Sequence, residues 1–100
     1  MDNNSCPSCK VAHHSEEDKK NLSNRLNRIE GQIRGINKMV QNDVYCDNIL
    51  NQITSVQSAL NGVSKILLEA HIKSCVVEQI QNGELEVIDE LMNTIRKMMK

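Results

Sequence analysis

Residues 43–81 read DVYCDNILNQITSVQSALNGVSKILLEAHIKSCVVEQIQ. Cys46, Ile53, Leu60 and Leu67 stand seven apart, as do Ile49, Val56, Val63 and Ala70. Two apolar positions per heptad, kept for more than three heptads, mark a helix with a packing seam. Asp43 suits its N-cap, and Asn82-Gly83 supplies a C-terminal stop near Gln81. Gly62 lowers the helix propensity without breaking the pattern. The helix so read has about 38 residues and spans about 57 Å at 1.5 Å per residue. That is too long for a compact monomer of 100 residues. The seam requires a partner helix from a second chain.

The flanking sequence supplies two more helices. Ser15 suits an N-cap, and Glu16, Glu17 and Asp18 suit the positive end of a helix dipole. Leu22, Leu26, Ile29, Ile33, Ile36 and Val40 then follow in alternating steps of four and three, one face of an amphipathic helix ending near Gln41 or Asn42. A third helix runs from about Leu85 to Met98, on Leu85, Ile88, Leu91, Met92 and Ile95. The fold class is all-α, with three helices per chain. The two long ones form a hairpin, and two hairpins make an antiparallel four-helix-bundle dimer whose interior can hold ligands from facing helices. Residues 1–14 lack periodicity and contain the only proline, so they read as a flexible tail before a helical domain over 15–100.

Composition narrows the function. Net charge is −1, unlike a general nucleic-acid coat protein, although a local basic patch can still bind DNA. No apolar run approaches the 18 residues of a membrane span, and Met1-Asp2-Asn3-Asn4 begins no signal peptide. A cytoplasmic location follows. Thiols there stay reduced, so the four cysteines read as metal or redox ligands rather than structural staples.

His71 and Cys75 are four apart on the long helix and share a face, a spacing that clamps a metal. Alone the pair is equally compatible with two ordinary helix-end residues. Cys46 adds to it. It lies twenty-five positions before His71, which is about 37 Å on a continuous helix. Metal–ligand bonds are near 2.0–2.3 Å, so one chain cannot close the site. In an antiparallel dimer the start of one long helix meets the end of the other, and symmetry gives two sites of Cys46 with His71 and Cys75 of the second chain. Two thiolates and an imidazole are a soft donor set, leaving Cu(I) and zinc about level on chemistry alone. A Cys/His pair can also form a nucleophile, but with no orienting third group and no Gly-rich loop an enzyme is not expected.

Three segments carry a resemblance. Residues 25–36, RLNRIEGQIRGI, residues 43–50, DVYCDNIL, and residues 67–75, LLEAHIKSC, occur in the order and spacing of the CsoR/RcnR family of bacterial metal-sensing repressors. The likeness runs from about residue 18 to the end. Cysteine, histidine and cysteine at Cys46, His71 and Cys75 resemble the copper-sensing branch. The nickel/cobalt branch carries a further histidine near its N-terminus and histidine for the last cysteine. The persulfide-sensing branch lacks the histidine, and the formaldehyde-sensing branch lacks the last cysteine. Tyr45 and Glu90 match a Tyr and a Glu that hydrogen-bond around the family's ligands, although Asp89 adjoins Glu90.

The resemblance implies dimers pairing into a homotetramer, operator double-stranded DNA bound by the metal-free form, and release on Cu(I) binding that derepresses copper-efflux genes. A copper chaperone is a candidate partner. Arg25, Arg28, Arg34 and Lys38 on the first helix, with Lys73 on the second, are the candidate DNA-binding residues. Acidic neighbours make an ordinary solvated face the bland reading of that stripe. With one Tyr and no Phe or Trp, stacking on single-stranded bases is not expected. The alternative function is a thiol- or persulfide-sensing repressor using Cys46 and Cys75. Cys6-Pro7-Ser8-Cys9 with His13 and His14 departs from the family pattern and looks like a spare accessory metal or redox motif, set against the more ordinary reading of a tail that binds metal only opportunistically.

Overall fold

The structure is a computed structural model that describes residues 14–99. These form α1 (Glu16–Gln41), α2 (Cys46–His71), a π-helical turn (Ile72–Val76), α3 (Val77–Gln81) and α4 (Glu86–Met98). Among the described residues there is no strand. The α2, π and α3 segments follow without a gap, so the second helix ends at Gln81 as its sequence predicts. The π turn within it has no counterpart in the heptad pattern. The chain divides into two compact units, His14–Ile66 and one containing the segment from Leu67 onward. None of the described helices is long and apolar enough to cross a membrane.

In the first unit, Ser15 caps α1. Its backbone is extended (φ −64°, ψ 161°), and its Oγ accepts the Asp18 N–H at 3.0 Å. This satisfies one of the amide donors that a helix start leaves open. At the other end the Asp43 N–H donates to the Val40 carbonyl (3.2 Å) and the Val44 N–H to that of Met39 (3.0 Å). That pair of bonds is a Schellman closure with Asp43 in the left-handed conformation, φ 55°.

Asp43 therefore does not cap α2, contrary to the sequence reading. An N-cap needs extended backbone, and α2 begins three residues later at Cys46. The closure of α1 claims the residue instead. Between the two helices, Leu22, Ile29, Val56 and Val63 form the buried cluster, with Ile36, Ala59 and Ile66 packed against it.

Only part of each apolar stripe is used here. Leu26 (46%), Ile33 (52%) and Val40 (55%) on α1 stay exposed, as do Leu50 (57%), Ile53 (37%), Leu60 (42%) and Leu67 (40%) on α2. Of the two heptad rows on α2, the Val56–Val63 row is inside the hairpin and the Ile53–Leu60–Leu67 row is outside.

In the second unit, α4 packs against the π turn and α3. Cys75, Val76 and Val87 are buried there with Gln79. Gly83 (φ 82°) makes the link, its N–H donating to the Ile80 carbonyl (3.0 Å) and the Glu84 N–H to that of Gln79 (2.9 Å). The sequence stop at Asn82-Gly83 is this second Schellman closure.

Candidate metal centre

Cys46 and His71 are the first and last residues of α2. Cys46 is exposed, and its thiol is free. It lies on the rim of an open concavity of about 370 Å³ lined by Val40, Asp43, Val44, Cys46, Ile49 and Leu50. The turn after α1 forms one wall and the first turn of α2 the other. The sulfur thus stands at a largely apolar surface, suited to a soft metal or to another chain. Sequence periodicity does not reveal this concavity, because it exists only where the Asp43 reversal folds Val40 and Val44 beside Ile49 and Leu50.

His71 is exposed, whereas Cys75 is 5% exposed, inside the second unit. Cys75 is also disulfide-bonded. The expectation that every thiol is reduced is corrected at this residue. Its sulfur is a metal ligand only after reduction, since the thiolate is the ligating form. Among the described residues no three His, Cys, Asp or Glu side chains come together as a metal-holding group. A single chain does not assemble the three-ligand set. Its donors, two sulfurs and an imidazole nitrogen, nonetheless fit Cu(I) in type.

The other candidates are spread over the surface. Tyr45 precedes α2 and is 73% exposed, and Glu90 sits on α4. On α1 the Arg25 Nε donates to Asn21 Oδ1 at 3.3 Å. Arg25 Nη1 also approaches the open face of Gly62, lying 3.7 Å from where a Cβ would stand. Arg34 pairs with Glu30 (3.8 Å), and Lys73 with Glu69 (3.1 Å). Arg28 and Lys38 are exposed. So Arg25, Arg28, Arg34 and Lys38 line α1, while Lys73 stands in the π turn. Cys6, Cys9 and His13 lie outside the described residues, and His14 is the first residue described.

Residues 18–97 match the family described as metal-sensitive transcriptional repressors. The copper-sensing transcriptional repressor CsoR of Bacillus subtilis is 47% identical over 89 residues, which cover 88% of this chain and 88% of that protein. Among solved structures, the copper-sensing repressor CsoR with Cu(I) from Geobacillus thermodenitrificans aligns with a TM-score of 0.82 and 42% identity, covering 90% of this chain and 95% of that one. The nickel-responsive transcriptional regulator InrS aligns with a TM-score of 0.68 and 35% identity, covering 84% of this chain and 96% of the other. The helical hairpin, the Cys and His positions on α2 and the π turn, and these alignments agree: the chain belongs to the metal-sensitive transcriptional repressor family.

Proposed function

We propose that the chain is a copper(I)-responsive transcriptional repressor of copper-efflux genes, working in the cytoplasm as a homotetramer on operator duplex DNA. One observation carries the choice of metal. Cys46, His71 and Cys75 present two sulfurs and one imidazole, in a chain 47% identical to a copper-sensing repressor. Thiolate-rich sets favour soft Cu(I) over nickel.

Bound Cu(I) would supply a soft centre shared by Cys46 of one chain and His71 and Cys75 of a second copy. The chain's own residues do the rest. The exposed Leu26–Ile33–Val40 and Ile53–Leu60–Leu67 rows pack one hairpin on another and exclude water. The antiparallel arrangement carries Cys46 to the far end of the second copy's helix. Tyr45 and Glu90 orient the His71 imidazole through its other nitrogen, an arrangement that tunes metal sites. Arg25, Arg28, Arg34, Lys38 and Lys73 hold phosphates, with specificity drawn partly from duplex shape. A copper chaperone is the expected donor, and no catalytic role is proposed. By linkage, a metal that weakens DNA binding is itself bound more weakly by the DNA complex.

The test is anaerobic Cu(I) titration of the reduced protein on labelled promoter DNA, followed by fluorescence anisotropy. Zinc and a persulfide donor run in parallel. Release by Cu(I) alone supports the proposal. An intact complex under Cu(I) that persulfide dissolves favours the thiol-sensing reading with Cys46 and Cys75.

A further inference from the structure

Of the two candidate sulfur ligands, Cys46 carries a free thiol and Cys75 is disulfide-bonded. The chain has four cysteines. With Cys46 free, the sulfur joined to Cys75 belongs to Cys6 or Cys9. Both precede the described residues, and the copper-sensing site uses neither of them.

Cys6-Pro7-Ser8-Cys9 has the Cys-x-x-Cys spacing, at which two cysteines close a disulfide with each other in redox motifs. Whichever of them is bonded to Cys75, the other stands three positions away in the chain. It has no cysteine left to pair with and keeps its thiol. In a cytoplasmic protein such a bond is more often a redox device than a staple.

Cys75 is 5% exposed, buried with Val76, Gln79 and Val87. Thiol–disulfide exchange depends on which sulfur is attacked and on access to it. Burial disfavours attack at Cys75 itself. Attack on the tail sulfur makes Cys75 the leaving group.

We propose that Cys6 and Cys9 form a redox lock on the metal site: one holds Cys75 in a disulfide and so withholds a ligand, and the other opens that bond by exchange. The attacking cysteine gives its proton to solvent, and its sulfur displaces Cys75 from the tail sulfur. The bond between the tail and Cys75 breaks, the Cys6–Cys9 bond forms, and Cys75 departs as a thiolate with the electron pair. The oxidation level of the chain is unchanged, so the exchange consumes no oxidant or reductant. The thiolate is the ligating form. A metal bound only by the opened form draws the exchange toward Cys6–Cys9. The lock is first set on the reduced chain by a small-molecule disulfide, which leaves as two thiols. It differs from a Cys46–Cys75 sensor in leaving Cys46 free. This inference rests on the assignment of Cys75 as a ligand.

The experiment oxidises the full chain anaerobically with one equivalent of oxidised glutathione. Thiols are alkylated before or after addition of Cu(I), and disulfides are mapped by mass spectrometry of unreduced peptides. Wild type should show Cys75 joined to a tail cysteine before metal and Cys6 joined to Cys9 after it. Cys6→Ser and Cys9→Ser each lack the second tail thiol. In both, the bond from the remaining tail cysteine to Cys75 should survive Cu(I). Competition with a chromogenic chelator should show the Cu(I) site lost in these oxidised variants and restored by a thiol reductant. The proposal is overturned if oxidised wild type joins Cys75 to Cys46 or leaves it unpaired before metal. A tail bond to Cys75 that Cu(I) leaves unchanged in wild type, or that opens in the single variants without reductant, also overturns it. The reduced chain separates the two levels. If reduced Cys75→Ser binds Cu(I) like reduced wild type, the ligand assignment fails and this inference with it. If reduced Cys75→Ser loses the site while oxidised wild type shows no tail bond to Cys75, only the lock fails.

Discussion

Cys46 and His71 stand at the two ends of one uninterrupted α-helix, α2. Twenty-five helical steps put them about 37 Å apart, so a metal that uses both must join two chains.

Mixed oligomers check this directly. Cys46→Ala chains and His71→Ala/Cys75→Ala chains should each fail to form the three-ligand site. Mixed together, they should regain one such site per mixed dimer. Stoichiometric Cu(I) titration of the mixture reads the outcome. Sites that stay absent from the mixture would count against the shared arrangement.

Val63 and Leu60 are three residues apart and should fail in different ways. Val63 is 5% exposed in the hairpin core, whereas Leu60 is 42% exposed on the outer row. Val63→Ala removes buried methyl groups and should cost about 2 kcal/mol by chemical denaturation. Leu60→Glu should leave the far-UV helical signal largely intact yet shift the oligomer toward monomer in analytical ultracentrifugation. It should also abolish the shared Cu(I) site. An unchanged sedimentation profile would mean that the outer row is not the interface.

Two positions hold residues that are suboptimal for stability. Asp43 closes α1 at φ 55°, a conformation that suits glycine better. Asp43→Gly should stabilise the metal-free protein by about 0.5–1 kcal/mol. Gly62 lies mid-helix, and a Cβ there would meet Arg25 Nη1 at an ordinary 3.7 Å. Gly62→Ala should therefore add about 1 kcal/mol. Urea midpoints of the reduced, metal-free protein test both.

If Arg34 and Lys73 hold phosphates as proposed, Glu30 and Glu69 compete with DNA for them. Arg34 and Lys73 pair with these glutamates at exposed sites, where such pairs contribute little to stability. Glu30→Gln and Glu69→Gln should tighten operator binding at low salt, with the gain shrinking as salt rises. Arg28→Ala should weaken binding and lower the salt slope by about one unit for each phosphate it no longer neutralises. Anisotropy titrations across a salt series give both slopes.

Much of the hairpin is legible in the sequence because period and caps are local. Leu22 to Val40 and Ile49 to Ala70 repeat at helical spacing, and Ser15 and Gly83 act through bonds to residues three to five positions away. Asp43 misleads because its side chain suits an N-cap while its backbone is committed to closing α1. The π turn is invisible at that level because its residues are ordinary helix formers, and its register depends on what packs around Cys75 and Val76.

For the candidate metal site, the sequence by itself determined the donor types and their spacing along α2 and the π turn. Helix length alone then excluded a site within one chain, because rise per residue is fixed by backbone hydrogen bonding. Only the tertiary structure decided which apolar row each helix buries and which it leaves for a partner. It also decided that His71 faces solvent while Cys75 does not. Those outcomes depend on packing between distant segments and on one extra residue in a single turn, neither of which a local pattern encodes.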